Sequence, residues 1–454
     1  MFYLKNFISV LLLSCLFGTS LPVKAQSARK SFVDFQETKL KNGLRVLTVE
    51  DHSAPVISLT ISYNVGSRDE RQGRTGFAHL FEHMMFKGSE NVGAGEHFYQ
   101  IYNSGGNMNG YTNPDRTIFF DNLPANQLDM ALFLEADRMR SLAITKENLD
   151  NQRNAVQEEK RQNVDNVPYG ASQVLQQNLL YDDFPYHHVT IGSMEDLNAA
   201  TVEDVAQFFK TYYAPNNAFL VLVGDFDRKD ALTRIRKNFE AIPRQSDPPP
   251  ITMNEPLQAS ERRRTVEDPY ARIPQIDIAF KSTSGNTPDF FAMEVLSTIL
   301  QSGNSSRLYQ RLVKEKELVT KIFGNMDERK GPGALYITAT PRPGAKIEAV
   351  EAGIYEELGR LANEPVSDAE LQKAKNIEQR NEYNQQTAFY RAFKLGIYSV
   401  QYNDPNLINT WQEKINAVTK DDIQRVARKY LGQNNRTVVI TLPKAQSPTK
   451  PAGE

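Results

Sequence analysis

The sequence predicts an α+β protein built from two tandem homologous domains. Residues 197–223 and 415–441 share a helix-then-strand pattern and align without a gap, at an offset of 218. A strand-like alternation of apolar and polar residues near the start of each half, at 55–61 and 274–280, repeats at an offset of 219. Unrelated helix–strand pairs would explain neither offset. A period this long indicates duplicated domains, because solenoid repeats run roughly 20–50 residues.

The aligned segments share identical residues at positions expected to cap the helix and to form the turn between helix and strand. Each copy reads as a capped helix followed by an apolar strand, and helical and strand periods alternate throughout both halves, which favours helices packed on a sheet. The matched pairs are Asn198/Asn416, Ala199/Ala417, Thr201/Thr419, Asp204/Asp422, Tyr212/Tyr430, Asn216/Asn434 and Asn217/Asn435.

Length and composition agree with two domains. A chain of 454 residues with 40% hydrophobic content can bury two cores. The formal net charge of −2 lacks the basic surplus of a nucleic-acid-binding protein. We assign residues 30–240 to the first domain, 241–264 to a polar, proline-containing linker, and 265–443 to the second domain.

The two ends of the chain carry separate signals. Residues 1–25 combine Lys5, an apolar run over 7–17 and a small-residue cleavage pattern, which predicts a secretory signal peptide; an N-terminal core helix is the alternative. The run is too short for a transmembrane span.

We expect an exported, periplasmic protein, with a lipoprotein anchored at Cys15 or an extracellular protein as alternatives. Cys15 is the only cysteine, so the mature chain would lack disulfides. Residues 444–454 predict a disordered tail.

The segment 79–83 (HLFEH) is the strongest chemical signal in the chain. On a helix, His79 and His83 would lie on one face and could bind one metal ion, with Glu82 beside them to act on a water molecule. Catalytic zinc is commonly held by two His and one Glu, with the fourth position open to a water whose pKa is lowered. A solvated face or a satisfied core cluster is the alternative. H-x-x-E-H is the signature of the inverzincin peptidases.

A third ligand is predicted in residues 149–163, which read as a helix. The apolar stripe of this helix passes through Leu149 and Val156 and continues to Glu159, whereas Glu158 falls on the solvated side. A carboxylate on a buried stripe needs a partner, because burying an unpaired charge is costly. That partner is a metal ion, or alternatively a basic neighbour.

These motifs resemble the M16 metallopeptidase family, the pitrilysin and insulinase group that includes mitochondrial processing peptidases. The family carries H-x-x-E-H followed by Glu after about 75 residues, and 75 residues separate His83 from Glu159. Segments 63–70 (YNVGSRDE), 105–112 (GGNMNGYT), 190–192 and 212–218 also match, and the resemblance runs from about residue 35 to 443.

The resemblance implies a fold and a site. Each domain should be a mostly antiparallel sheet packed with helices, and the two should form a clam-shell half-chamber. One Zn²⁺ per chain would be held by His79, His83 and Glu159, and Glu82 would be the general base. The segment 105–112 would form an exposed edge strand that binds the peptide substrate. Its candidate substrate contacts are Gly105, Gly106, Asn107, Met108 and Asn109.

The second half departs from the active family pattern. The offset of 219 places residues 298–302 (TILQS) opposite the zinc motif, and no ligand remains there. Val313 and Thr320 stand where many members carry a substrate-gripping Arg and Tyr, and Gln152 stands where many carry a Glu behind the ligands. The chain therefore resembles the zinc-bearing, M16B-like member of a bacterial pair. That resemblance implies a second M16-like subunit that supplies the Arg and Tyr.

Three functions remain open from the sequence. The first is a zinc endopeptidase acting on peptides or unfolded segments. The second is a non-catalytic peptide-binding or assembly subunit of an M16-type complex. A structural zinc site is disfavoured, because such sites fill all four positions, often with Cys. The other histidines, His97 and the pair His187 and His188, are expected in loops or at the surface.

Overall fold

A computed structural model describes residues 33–383 and 386–444 of the chain. The predicted signal peptide, Cys15 and nearly all of the predicted tail lie outside these residues, so those predictions stay as they are. Within the described ranges, no helix is both long enough and apolar enough to cross a membrane.

The first half forms a mixed sheet with helices packed against it. Its strand order is β1-β2-β6-β3-β5-β4; β2 and β6 pair in parallel and the other neighbours pair antiparallel. In chain order the elements are β1 (Gln36–Lys39), β2 (Arg45–Glu50), β3 (Val56–Tyr63), α1 (Phe77–Met84), α2 (Glu96–Asn103), β4 (Asn107–Thr112), β5 (Thr117–Pro124), α3 (Leu128–Arg140), α4 (Lys146–Lys160), α5 (Gly170–Leu180), α6 (Phe184–His187), α7 (Met194–Asn198), α8 (Val202–Tyr212), β6 (Ala218–Gly224) and α9 (Arg228–Phe239).

The second half repeats this plan with a sheet of order β7-β11-β8-β10-β9, in which only β7 and β11 pair in parallel. Its elements are β7 (Arg262–Asp268), β8 (Gln275–Ser284), α10 (Pro288–Gln301), β9 (Val319–Asp327), β10 (Pro332–Pro341), α11 (Ile347–Asn363), α12 (Asp368–Tyr383), α13 (Ala388–Tyr402), α14 (Leu407–Ala417), α15 (Lys420–Tyr430) and β11 (Arg436–Pro443). The α+β class with two homologous, mostly antiparallel domains is confirmed.

One predicted boundary needs correction. The range 241–264 was predicted as linker, but β7 already begins at Arg262, because this segment pairs in parallel with β11 from Thr437 onward. The strand was missed because Arg262 to Arg264 are three consecutive arginines, which do not show the apolar alternation of a strand.

The duplication extends to individual side chains. Thr201 and Thr419 cap α8 and α15, and each forms a reciprocal capping box with an aspartate three residues later. Asn217 and Asn435 each donate a side-chain hydrogen bond to the carbonyl of the last residue of the preceding helix, at 2.8 and 2.7 Å. The repeated residues therefore recur because they fix the same helix start and the same turn in each half.

The two halves are joined through α13. This helix of the second half packs on the first sheet, where Leu395 is completely buried among residues of β2 and β6. Gly396 permits the close approach, because a Cβ there would lie 2.3 Å from the Ser62 hydroxyl of β3. Burial of each large aliphatic side chain in this seam contributes about 1.5–3 kcal/mol.

Candidate metal centre

Helix α1 carries two imidazoles on the face opposite its buried side. It begins after Gly76, which has φ 87°, in the left-handed region that favours glycine. The buried face of α1 packs into the first core, and His79 and His83 lie one turn apart on the opposite face, with ring centroids 4.8 Å apart. The buried residues are Phe77, Ala78, Leu80, Phe81 and Met84.

The helix α4 brings Glu159 to these imidazoles. Thr145 caps the helix, Leu149 and Val156 are buried, and Glu159 follows on the same side in the last turn. The side chain of Glu159 is 36% exposed and lies at the rim of the packed surface. It is therefore less buried than its place on the apolar stripe of the helix had indicated. Glu158 points away from the site and pairs with Arg161 on the surface.

The three predicted ligands converge. Nε2 of His79 lies 3.7 Å and Nε2 of His83 lies 3.4 Å from Oε2 of Glu159, and the three ligand atoms lie within 4.8 Å of one another. These distances are long for hydrogen bonds. They suit donors that share a tetrahedral zinc ion, which at bond lengths of about 2.0–2.2 Å lie roughly 3.3–3.6 Å apart. The donor set therefore fits zinc.

The local electrostatics keep the imidazoles neutral. Burial lowers the pKa of His79 to about 4, and the neighbouring His83 acts in the same direction. Burial also lowers the pKa of His83, against the opposing charge of Glu159. Neutral imidazole is the form that binds a metal ion, so the site does not have to lose protons from these rings at neutral pH.

Glu82 stands beside this group without belonging to it. Burial raises the pKa of Glu82 to about 7, with a hydrogen bond from Thr112 opposing the shift and the charge of Glu159 adding to it. A carboxyl group with a pKa near neutrality can both accept and return a proton at physiological pH.

Gln152 occupies the position behind the ligands. It is buried on α4, close enough to His83 to raise the pKa of that imidazole against the larger effect of burial, and it donates to Oδ1 of Asn151 at 2.8 Å. The amide therefore stands where a residue behind a metal ligand would stand, but without the negative charge of a glutamate.

The segment predicted to bind substrate lies at the sheet edge beside α1. β4 is the last strand of its sheet, with β5 as its one neighbour among the described strands. Gly105 and Gly106 were predicted to lie in this strand, but both precede it, because β4 begins at Asn107; Gly105 lies in the preceding turn with φ 78°. A Cβ at Gly110 would lie 2.8 Å from Oε1 of Glu82. The edge strand is therefore in contact with the predicted base.

Gly110→Ala should separate catalysis from metal binding. The added methyl would press on the flexible end of Glu82, so we expect at least a tenfold loss of peptide turnover with the metal retained. Gly359→Ala on α11 is the matched control, since a Cβ there meets nothing within 4 Å. Steady-state kinetics with metal analysis measure both effects, and unchanged turnover in Gly110→Ala would contradict the assigned contact.

The second half has no substrate-gripping pair at the predicted positions. Val313 is half-buried in a π-helical segment and packs against the second core, and the Thr320 hydroxyl donates to the Thr340 carbonyl at 3.2 Å. Arg307, which lies near this segment, forms an ion pair with Glu370 at 2.9 Å. Thr320 lines an open cleft of about 750 Å³ between α5 and the second sheet.

One of the remaining histidines is not where it was predicted, and a second, His188, lies in a loop as predicted but makes a contact that was not predicted. His97 was expected in a loop or at the surface, but it is buried on α2 beside Asp121 and Glu135, where burial lowers its pKa to about 3. His188 reaches inward to Glu70 at 2.9 Å. No local pattern in the sequence predicts the contacts of His97 or His188, because the partners of both residues are distant in the chain.

Comparison with known proteins gives a consistent result over both halves. The family model described as "Insulinase (Peptidase family M16)" matches residues 45–195, and the model described as "Peptidase M16 inactive domain" matches residues 199–378. The "inactive" description agrees with the absence of ligands at residues 298–302.

Relatives cover nearly the whole chain. The Helicobacter pylori protein named "Zinc protease PqqE" is 31% identical over 413 residues, which are 90% of this chain and 93% of the relative. A crystal structure of a protease from Helicobacter pylori superimposes with a TM-score of 0.86 at 29% identity. The superposition covers 91% of this chain and 100% of that chain. An Arabidopsis thaliana protein named "Probable mitochondrial-processing peptidase subunit beta" is 25% identical, covering 87% of this chain and 76% of its own.

Proposed function

Because the chain belongs to the M16 peptidase family, we propose that it is a zinc-dependent endopeptidase that hydrolyses peptides or unfolded segments. The convergence of His79, His83 and Glu159, with Glu82 beside them, carries this proposal. The zinc-protease names of the relatives support it. One Zn²⁺ per chain would occupy the site.

Each residue of the site would have one task. His79, His83 and Glu159 would hold the ion, which when bound would supply Lewis-acid chemistry. Glu82 would accept a proton from the attacking water and return it to the leaving amine, a role to which its raised pKa is suited. Gln152 would support His83 from behind, without the negative charge of a glutamate.

The edge of β4 would bind the substrate. A peptide that adds to this edge forms main-chain hydrogen bonds, which accept many sequences with modest side-chain preference. Met108, Gly110 and Thr112 alternate toward α1 along the strand, because Gly110 contacts Glu82 and successive side chains point to opposite faces. Gly110 offers no side chain there, so the scissile bond can approach Glu82 closely.

A second M16-like subunit would complete the site. Val313 and Thr320 cannot supply the guanidinium and the phenol that grip substrate in other members, and Arg307 is engaged by Glu370. Loose positioning costs rate heavily even when the metal site is intact. A partner carrying Arg and Tyr at the matching positions would restore that positioning.

The test of the proposed function is a mixing experiment. The purified zinc-loaded chain should cleave unstructured peptides weakly or not at all, and should gain at least tenfold in kcat/KM with the partner; a chelator should abolish the gain. Equal turnover with and without the partner would show that the chain is self-sufficient. Zinc binding with no cleavage under any condition would favour a non-catalytic peptide-binding or assembly subunit, to which the loss of the gripping pair also points.

We further propose export to the periplasm, supported by the signal-like residues 1–25. Mass spectrometry of the mature N-terminus distinguishes cleavage after Ala25 from a lipid attached at Cys15.

A further inference from the structure

The start of the metal-bearing helix α1 is held by a buried carboxylate. Oε2 of Glu70 accepts from the Gly76 amide at 2.9 Å, and Oε1 accepts from the Ala78 amide at 2.7 Å. Gly76 has no side chain that could cap the helix, so Glu70 does so from a distance of several residues. A negative charge at this end also suits the helix dipole. Ala78 directly precedes His79.

Glu70 needs a cation, because its side chain is completely buried (0% exposed). Burial raises the pKa of Glu70, although His188 and the two amides act in the opposite direction. The only charged contact to Glu70 among the described residues is Nε2 of His188, at 2.9 Å.

The surroundings of His188 define its protonation. Nδ1 lies 2.8 Å from the Phe184 carbonyl, and Nε2 lies 2.9 Å from both the Ser67 carbonyl and the Glu70 carboxylate. All three partners are acceptors, so both ring nitrogens must carry a hydrogen and the ring is an imidazolium. Burial alone would lower the pKa of His188, but the hydrogen bond and charge of Glu70 outweigh it and the pKa is raised.

The chain around His188 also packs directly on the start of α1. A Cβ at Gly192 would lie 2.4 Å from the Gly76 amide nitrogen, and a Cβ at Gly76 would lie 2.7 Å from the Ile191 carbonyl. The segment 188–192 is therefore in backbone contact with the helix start, and it cannot shift without moving that start. His188 ties this segment, the turn at Ser67 and Glu70 together.

We infer that Glu70 and His188 form a buried ion pair that positions the metal-ligating helix, so that both residues set the metal affinity without touching the metal. This inference rests on the proposed function, because it takes His79 and His83 as ligands. Removing either partner leaves the other unpaired in a buried site, which displaces the first turn of α1 and with it His79. Partners behind the ligands typically change metal affinity 10–100-fold when mutated.

The test measures zinc affinity by competition with a chromophoric chelator on the full chain, together with the absorption spectrum of the Co²⁺ form. Glu70→Gln and His188→Gln should each weaken zinc about tenfold or more and change the Co²⁺ spectrum. The double variant Glu70→Gln/His188→Gln removes both charges. Its zinc affinity should therefore be no lower than that of the single variant with the lower affinity. His187→Gln is the matched control, since its ring contacts the Tyr181 carbonyl instead; its affinity should stay within about twofold of the parent.

Two further variants separate the possible failures. His188→Arg keeps a cation and N–H donors beside Glu70, so it should retain more affinity than His188→Gln, and it serves if Glu70→Gln does not fold. Parental affinity in both single variants, or in His188→Gln alone, overturns the positioning role. Glu159→Gln should lose zinc in the same assay; if it does while the Glu70 and His188 variants do not, only the positioning role fails. Full zinc retention in Glu159→Gln would instead refute the proposed metal site.

Discussion

Glu82→Gln is expected to keep the fold and one zinc per chain while losing most peptide turnover. The amide is nearly isosteric with the carboxyl group and can keep the contact with Thr112, but it cannot accept the proton of the attacking water. General acid–base catalysis contributes about 10²–10⁴-fold, so kcat should fall by that order, with a smaller change in KM. Steady-state kinetics on the complete, active assembly measure the effect.

Glu158→Gln is the matched control for this change. It makes the same substitution on α4, one residue from a proposed ligand, but its side chain lies on the surface with Arg161 and Gln162. Turnover should therefore remain near the parental value. Near-normal cleavage by Glu82→Gln, with zinc content verified, would remove Glu82 from the mechanism and leave the metal site untouched.

The second large effect concerns the metal itself. His83→Ala removes one of three protein ligands, and the remaining pair leaves half of a tetrahedral site without protein donors. Zinc content should fall from one per chain to well below stoichiometric after dialysis, as measured by elemental analysis. The fold should survive, because the His83 side chain is 26% exposed and the buried face of α1 is unchanged.

The alternative choice of glutamate is tested in the same series. Glu158→Ala should retain full zinc and Glu159→Ala should lose it, because only Glu159 has a carboxylate oxygen near Nε2 of His79 and His83. The reverse pattern would show that the wrong residue of the adjacent pair was assigned. Retention of zinc in His83→Ala would refute the metal site as a whole.

Variants of the metal site and the absence of the substrate-gripping Arg and Tyr should give different kinetic results. A defect at Glu82 or His83 persists when the partner is added, whereas the defect attributed to Val313 and Thr320 is relieved by it. Measuring each variant alone and mixed therefore assigns every loss of activity to one half of the site. Gly110→Ala belongs with the first group, since its contact lies within this chain.

Periodic patterns in the sequence were sufficient to identify α1, α4 and the duplicated helix–strand units. The spacing of His79 and His83 and the stripe through Leu149 and Val156 to Glu159 are local, and local geometry places such residues on one helix face. The repeated caps at Thr201 and Thr419 are local for the same reason, since a capping residue bonds within its own first turn.

Contacts between distant segments required the tertiary structure. The sequence could not show that His97 is buried against Asp121 and Glu135, that His188 pairs with Glu70, or that Gly110 lies against Glu82. These partners are separated by tens of residues or more, and they meet only through the packing of distant elements, as where β4 packs on α1. Helix and strand periods encode which face of an element is buried, whereas the identity of the group across that face depends on how the elements pack.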